Sequence, residues 1–302
     1  MLLCNIDSMI NSAKRNLWRE RAIEGAIYAC GISSIVIVSL IFLFLLKEGL
    51  ALFRIVSVRD FVTGDRWYPI SEPPRFGILP LVLGSGIVTL GATMLSVPMG
   101  IGSALFISEI AKGWTKEALK TGIELLAAIP SIVLGFIGMT VAAPVIQRLF
   151  HLPTGLTALT GSLTLAFMAM PTIVSITEDA LAAVPRGYRE AALALGATRW
   201  QMMWRVLLPA ARSGILAATM LGIGRVIGET MALMMVTGNA AVIPHSMLRP
   251  VRTMTATIAA EMGEAVRGSD HYLALFAIGL MLFLISFVIN VLADFFLHQE
   301  RS

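Results

Sequence analysis

Charged residues are scarce in this chain. Lysine, arginine, aspartate and glutamate make up 14% of its 302 residues, whereas a soluble domain usually carries about 25%. Hydrophobic residues reach 57%, and the mean hydropathy is +0.81. This composition excludes an ordinary soluble domain and predicts a protein embedded in a lipid bilayer. The net charge of +4 belongs to the segments that flank the apolar runs, so we expect no nucleic-acid partner.

Cysteine, histidine and lysine are also few, and their spacing excludes several kinds of site. The two cysteines, Cys4 and Cys30, lie in a predicted arm and a predicted helix, so we expect neither a disulfide nor a metal site. No His-Glu-x-x-His or Gly-x-Ser-x-Gly motif occurs, and no lysine follows a glycine as it does in a nucleotide-binding loop. We therefore expect no catalytic site and no bound cofactor, and any ATP would bind to another subunit.

Long uncharged runs, by contrast, are abundant. A membrane-spanning helix needs roughly 20 apolar residues, and six runs qualify: 26–46, 76–108, 125–147, the later part of 149–177, about 213–236, and 272–293. The predicted fold class is all-α, a polytopic integral membrane protein with about six transmembrane helices. Seven glycines in these runs are predicted to be positions of close helix packing: Gly84, Gly91, Gly100, Gly102, Gly222, Gly224 and Gly228.

Basic residues predict the orientation of the chain. If the N-terminus is cytoplasmic, the cytoplasmic segments hold more lysines and arginines than the outer segments, as the positive-inside rule requires. The predicted layout is a cytoplasmic arm (1–25), a first transmembrane helix (26–46), an outer loop (47–75), a core of five transmembrane helices (76–297) and a cytoplasmic tail (298–302). A long cytoplasmic loop, 178–212, interrupts the core.

One ionisable pair lies inside an apolar run. Arg225 and Glu229 are four residues apart within 221–236, where a charge is costly and usually functional. If the run is one helix, the two side chains share a face and meet. The pair then faces a water-filled path, with the Thr230 hydroxyl as an extra donor, or it is a structural clip between helices.

The cytoplasmic loop is predicted to contain two short helices. Pro185 suits a helix start, Gly196 can take the left-handed conformation that ends a helix, and Thr198 can cap a second helix that Pro209 would delimit. Two helices joined by a glycine turn form a compact knob that could fit a groove on another protein. The alternative is an amphipathic loop that covers the membrane surface.

Several motifs carry a family resemblance. Glu190-Ala191-Ala192, Gly196, Val206 and Leu208-Pro209 resemble the EAA signature of inner-membrane permease subunits of ABC importers, with Val206 in place of the usual isoleucine. The segments 128–135, 170–179 and 222–239 are similar to phosphate permeases of the PstC type. The resemblance covers about residue 84 to the C-terminus. We refer to residues 178–212 as the EAA loop.

The resemblance implies a fold, a function and a set of partners. The fold is that of type I (MetI-like) ABC importer permeases, in the bacterial or archaeal cytoplasmic membrane. The EAA loop would dock on an ATPase dimer, which holds ATP and magnesium, and a second permease of the PstA type and an extracytoplasmic phosphate-binding protein complete the importer. The residues implied in ATPase coupling are Glu190, Ala191, Ala192, Gly196, Leu208 and Pro209.

Phosphate suits the chemistry of the ionisable pair. The planar guanidinium of Arg225 can give an oxyanion two parallel hydrogen bonds. Glu229 would either neutralise Arg225 in an empty path or accept a hydrogen bond from a protonated phosphate oxygen. The alternatives are a permease for phosphonate, sulfate or molybdate, a secondary anion transporter that uses Glu229 as proton relay, and an anion channel.

Overall fold

A computed structural model describes residues 2–299, with the side chains of residues 20, 21, 23–292 and 295. The predictions for the tail 298–302 and for most side chains of the arm, including Cys4, therefore fall largely outside the described residues. Helices dominate the described part of the chain. The one sheet found there is a hairpin of β1 (Trp67–Tyr68) and β2 (Arg75–Phe76), in which Trp67 pairs with Phe76.

Fourteen α-helices are described, three of them continued by π-helical turns over Phe106–Ile110, Gly138–Ala142 and Met203–Leu207. In chain order they are α1 (Leu2–Ala51), α2 (Val58–Thr63), α3 (Leu79–Leu105), α4 (Trp114–Ala128), α5 (Ser131–Ile137), α6 (Ala143–Leu149), α7 (Ala158–Ala183), α8 (Arg186–Ala194), α9 (Arg199–Met202), α10 (Leu208–Ala210), α11 (Arg212–Gly228), α12 (Met231–Val236), α13 (Met254–Glu261) and α14 (Asp270–Gln299).

The described chain has enough long apolar helices to cross a membrane several times. Five segments are long and apolar enough: Ile23–Arg54, Leu79–Ile110, Ser131–Leu149, Ala158–Ala183 and Asp270–Leu292. A sixth span results if the segments on either side of Ala211, which meet at a bend of 74°, count together. The prediction of an all-α membrane protein with about six spans is confirmed.

The predicted arm and first transmembrane helix are one element. Helix α1 runs from Leu2 to Ala51 without interruption, so the predicted boundaries at 25 and 46 do not coincide with its ends. Its later part packs on α14, where Gly49 approaches the Phe276 carbonyl and Phe44 meets the Phe276 ring edge-on at 5.3 Å.

The third predicted span, 125–147, begins too early. Helix α4 ends at Ala128, and Ile129 takes an extended conformation (φ −68°, ψ 127°) before Pro130. A residue that precedes proline avoids the helical region because the proline ring collides with its backbone. The apolar segment therefore starts at Ser131, and α4 is a separate, largely exposed helix.

The prediction of one continuous helix over 213–236 is also wrong. Helix α11 ends at Gly228, Glu229 is extended (φ −71°, ψ 132°), and α12 starts at Met231. The break is stabilised from a distant part of the chain, since the Thr255 hydroxyl donates to the Glu229 carbonyl at 2.9 Å. The 3.6-residue helical repeat therefore does not connect Arg225 to Glu229.

Close packing of α3, α7 and α11 forms the centre of the bundle. A Cβ added at Gly100 or Gly222 would lie 2.6 Å from an Ile173 side-chain carbon, and Ile173 itself is 1% exposed. The close-packing prediction holds for Gly84 and Gly91 as well, where a Cβ would come within 2.4 Å of a neighbour. Within the described chain it finds no support at three others, beside which there is open space: Gly102, Gly224 and Gly228.

The segments at the two ends of the bundle are folded onto it. At one end, hereafter the hairpin end, α2 and the hairpin bury Phe61 and Trp67 against α13 and α14. At the opposite end, hereafter the EAA end, Ala192, Met202 and Leu207 are buried against the last turns of α3 and α7. The EAA loop is therefore anchored in the chain's own core along one side.

Candidate functional site

Arg225 lies in the last turn of α11, on a face that the described chain leaves uncovered. Leu221, Gly224 and Gly228 are exposed on the same face, at intervals of three and four residues. The adjoining face carries Gly222 and Val226, which are buried. Because one face of α11 is fixed by close packing, the Arg225 side chain is directed out of this chain's own core.

The guanidinium of Arg225 makes one hydrogen bond within the described residues. Its Nη1 donates to the Thr172 hydroxyl on α7 at 3.4 Å, which is longer than the usual range of about 2.7–3.2 Å for such bonds. The guanidinium has five N–H donors, so its other donors point to no described partner. This cation is therefore only weakly engaged by its own chain and remains able to bind an anion.

Glu229 does not pair with Arg225, contrary to the prediction of a shared helical face. No ion pair within 4.0 Å joins the two side chains in the part of the chain that the structure describes. Instead, Glu229 Oε1 accepts from the backbone N–H of Ala232 in the first turn of α12 at 3.2 Å. The carboxylate thus satisfies a backbone donor that the helix start leaves without an intrahelical partner.

Thr230 lies beside Glu229 at the same helix break. Its hydroxyl donates to the Gly228 carbonyl at 3.2 Å, and the residue is half-buried. The predicted extra donor is therefore engaged with the backbone. Two other predicted motif residues shape the next turn, since Gly238 and Asn239 both have positive φ values, of 76° and 49°.

A polar cluster at the hairpin end was not identified from the sequence. Glu261 accepts hydrogen bonds from Arg252 at 2.7 Å and from the Trp67 indole at 3.0 Å, and lies 2.9 Å from His271 Nε2. Arg252 Nε also donates to the Asn239 carbonyl at 2.9 Å. These contacts join the hairpin, α13 and α14 to the loop that follows α12. The partners are up to 194 residues apart, so local patterns could not reveal them.

The EAA loop has the predicted helix, glycine turn and helix. Helix α8 is followed by Gly196 at φ 82°, and α9 begins with a capping box between Thr198 and Gln201. The second helical segment, Arg199–Ala210, ends one residue after the predicted limit at Pro209, and the chain bends at Ala211.

The coupling residues implied by the resemblance divide between the surface and the core. Glu190, Ala191, Gly196 and Pro209 are exposed, Leu208 is half-buried, and Ala192 is 8% exposed. Helix α8 therefore presents Glu190 and Ala191 outward and uses Ala192 to pack on its own chain. Their role in contacting an ATPase remains a prediction.

Arg189 connects α8 to the bundle, a role the sequence did not suggest. Its Nε and Nη2 donate to Glu109 Oε1 at 3.0 and 2.9 Å, and two further N–H groups donate to the Val184 and Leu181 carbonyls at 2.8 Å. Both charged side chains are mostly buried. Helix α8 is thereby tied to the ends of α3 and α7. Because α7 continues to Ala183, the connection between the two helices begins later than the predicted start of the EAA loop at residue 178.

A second ionic contact lies at the EAA end. The Glu178 carboxylate, 7% exposed as a residue, is 2.8 Å from Lys120 Nζ and 3.6 Å from Lys116 Nζ. The hydrogen bond to Glu178, followed by the attraction of its charge, raises the pKa of Lys120 above its ordinary value. This contact holds the otherwise exposed helix α4 against α7.

Comparison with known proteins places these features in a family. Residues 96–301 match the family model described as binding-protein-dependent transport system inner membrane component. A probable ABC transporter permease protein, YqgH, of Bacillus subtilis is 40% identical over 275 residues, which cover 90% of this chain and 89% of that protein. The phosphate transport system permease protein PstC of Mesorhizobium japonicum is 38% identical over 259 residues, covering 80% and 78% of the two chains.

Solved structures of transporters share the fold. A bacterial ABC transporter involved in alginate import superposes with a TM-score of 0.65 at 18% identity, covering 94% of this chain and 99% of that one. The MetNI methionine ABC transporter superposes with a TM-score of 0.59 at 19% identity, covering 76% and 99%. The predicted type I importer fold and the resemblance to PstC-type permeases are both confirmed. The chain belongs to the family of binding-protein-dependent transport system inner membrane components.

Proposed function

We propose that this chain forms half of the translocation path of an ATP-driven importer of inorganic phosphate. The observation that carries the proposal is the position of Arg225. It lies on the uncovered face of α11, the helix that directly follows the EAA loop, in a chain that is similar to phosphate transport permeases. The chain itself changes no covalent bond, and ATP and magnesium bind to a partner ATPase.

The uncovered face of α11 suits contact with a second permease. A surface of glycines beside one arginine lets another helix or an anion approach closely. A buried lone cation would cost several kcal/mol, whereas a water-filled path between two permeases leaves Arg225 hydrated until an oxyanion arrives. We assign the facing half of the path to a PstA-type permease.

Glu229 is assigned the role of acceptor in this path. Its Oε1 holds the start of α12, and its Oε2 has no hydrogen-bond partner among the described residues. An acceptor at that point suits hydrogen phosphate, which carries a proton, better than sulfate, which carries none at neutral pH. The alternative role as counter-charge to Arg225 receives no support from the geometry. We assign Thr230 to stabilising the helix break, because its proton is already donated to Gly228.

The EAA loop is assigned to the ATPase dimer. Its outer surface exposes large apolar side chains, with Leu195 at 89%, Trp200 at 62% and Tyr188 at 54% exposure. Apolar groups clustered beside the polar Glu190 are typical of a protein interaction site. We place this loop and the N-terminus in the cytoplasm, and the hairpin end toward an extracytoplasmic phosphate-binding protein.

ATPase stimulation of the reconstituted importer tests both the class and the substrate. The complex of both permeases and the ATPase is placed in lipid, and a binding protein loaded with phosphate, sulfate or phosphonate is added. We expect stimulation by the phosphate-loaded protein alone. Stimulation by sulfate or phosphonate would identify another oxyanion, and permeases that purify without an ATPase would contradict the importer class.

A further inference from the structure

Thr172 differs from several other threonines of this protein in what its hydroxyl contacts. Seven threonine hydroxyls donate to the carbonyl four residues earlier: Thr63, Thr93, Thr140, Thr164, Thr219, Thr237 and Thr257. In the described residues, Thr172 makes no such bond, and its oxygen instead accepts from Arg225 Nη1 at 3.4 Å. The hydroxyl proton of Thr172 is therefore available to a ligand.

The position of this hydroxyl is set by tight packing. Ile173, the next residue, is almost fully buried and fills the space beside Gly100 on α3 and Gly222 on α11. Gly222 is less than one helical turn from Arg225, so the same contact fixes both groups relative to each other. A ligand that bridges Thr172 and Arg225 would meet two residues whose helices are already fixed against each other, which limits the entropy lost on binding.

We propose that Thr172 is a second anion-binding residue of the translocation path. Its oxygen accepts one N–H of Arg225, and its O–H donates to an oxygen of the transported oxyanion, while the remaining guanidinium donors bind other oxygens of the same anion. The contact with Arg225 is long and weak, so little is lost when the guanidinium turns its donors to the anion. This assignment rests on the proposed function of Arg225 and adds a ligand on another helix, α7.

The test compares three variants of the reconstituted complex. Thr172→Val removes the hydroxyl at constant shape, Thr172→Ser keeps it, and Thr219→Val removes a hydroxyl on α11 that is already bonded to the Ile215 carbonyl. Phosphate uptake and ATP hydrolysis are measured together in proteoliposomes with phosphate-loaded binding protein. A hydrogen bond to a charged group contributes enough to change a rate by about 10-fold to 100-fold.

We expect Thr172→Val to lower the phosphate transported per ATP hydrolysed by about 10-fold to 100-fold, while Thr172→Ser and Thr219→Val stay near the wild-type ratio. A loss of packing alone would lower ATP hydrolysis and assembly together and leave that ratio unchanged. If the Thr172→Val complex assembles poorly, Thr172→Ala is used as a second variant that lacks the hydroxyl.

Two outcomes would overturn the assignment. One is a wild-type transport ratio in the variants that lack the hydroxyl, and the other is an equal loss in Thr172→Ser. Failure of the proposed function is distinguishable, because then the wild-type complex itself takes up no phosphate.

Discussion

Replacing Arg189 by methionine should loosen the EAA loop from the bundle. In the wild-type chain, Arg189 donates two hydrogen bonds to Glu109 and one each to two backbone carbonyls at the end of α7. Methionine keeps much of the apolar length of the side chain and removes all four bonds. The Glu109 carboxylate then loses its cation in a largely buried place.

The size of the effect follows from burial. Removing one partner of a buried ion pair costs about 3–5 kcal/mol. The Arg189 and Glu109 side chains keep 19% and 12% of their exposure, so we take the low end of that range, about 3 kcal/mol. If this free energy is lost from the local opening equilibrium of the loop, the backbone amides of α8 should exchange hydrogen about 100-fold faster.

Hydrogen exchange of the complex in lipid nanodiscs, resolved by mass spectrometry, measures this change. Arg186→Met is the matched control, because Arg186 is exposed on the same helix and makes no hydrogen bond or ion pair with any described residue. The double variant Arg189→Met with Glu109→Met should recover part of the protection, since no lone carboxylate is left. Equal α8 exchange in Arg189→Met and Arg186→Met would refute the anchoring role.

Two further variants test the coupling surface and the packing of the path. Glu190→Arg should reduce the amount of ATPase that co-purifies with the permease, and also the stimulation of ATP hydrolysis by loaded binding protein. Glu190→Gln should have a smaller effect on both. If neither variant changes the association of the ATPase, Glu190 does not belong to the coupling surface. Gly222→Ala would place a Cβ 2.6 Å from Ile173 and should destabilise the folded chain by about 1–3 kcal/mol. Gly102→Ala is the control, because a Cβ at Gly102 meets open space and should not destabilise the chain. Equal thermal unfolding temperatures of the two variants would contradict the close packing at Gly222.

Local patterns predicted much of the fold of this chain. The apolar runs predicted most of the long helices, because every helix that crosses a bilayer needs about the same number of apolar residues. In the EAA loop, Gly196 and Thr198 set the turn and the cap by their own backbone and side-chain preferences, and both predictions are confirmed. The break before Pro130 follows an equally local rule, and the predicted span 125–147 runs across it.

Contacts between distant residues account for the errors at the site. The local sequence around Glu229 predicts a continuous apolar helix. The helix breaks there instead, because the hydroxyl of Thr255, 26 residues later, donates to the Glu229 carbonyl. Thr172 and Arg225 are 53 residues apart, so no spacing rule brings them together. Exposure of Gly224 and Gly228 is likewise visible only once α11 is packed on α7 by its adjoining face.

Phosphate uptake by proteoliposomes that contain the whole importer tests the central assignment of Arg225 most directly. Wild-type complex and Arg225→Gln complex are supplied with ATP and phosphate-loaded binding protein, and co-purification of all subunits serves as the control for assembly. We expect ATP-dependent accumulation of phosphate with the wild type and none above the ATP-free background with an assembled Arg225→Gln complex. Uptake by Arg225→Gln at the wild-type rate would contradict the account.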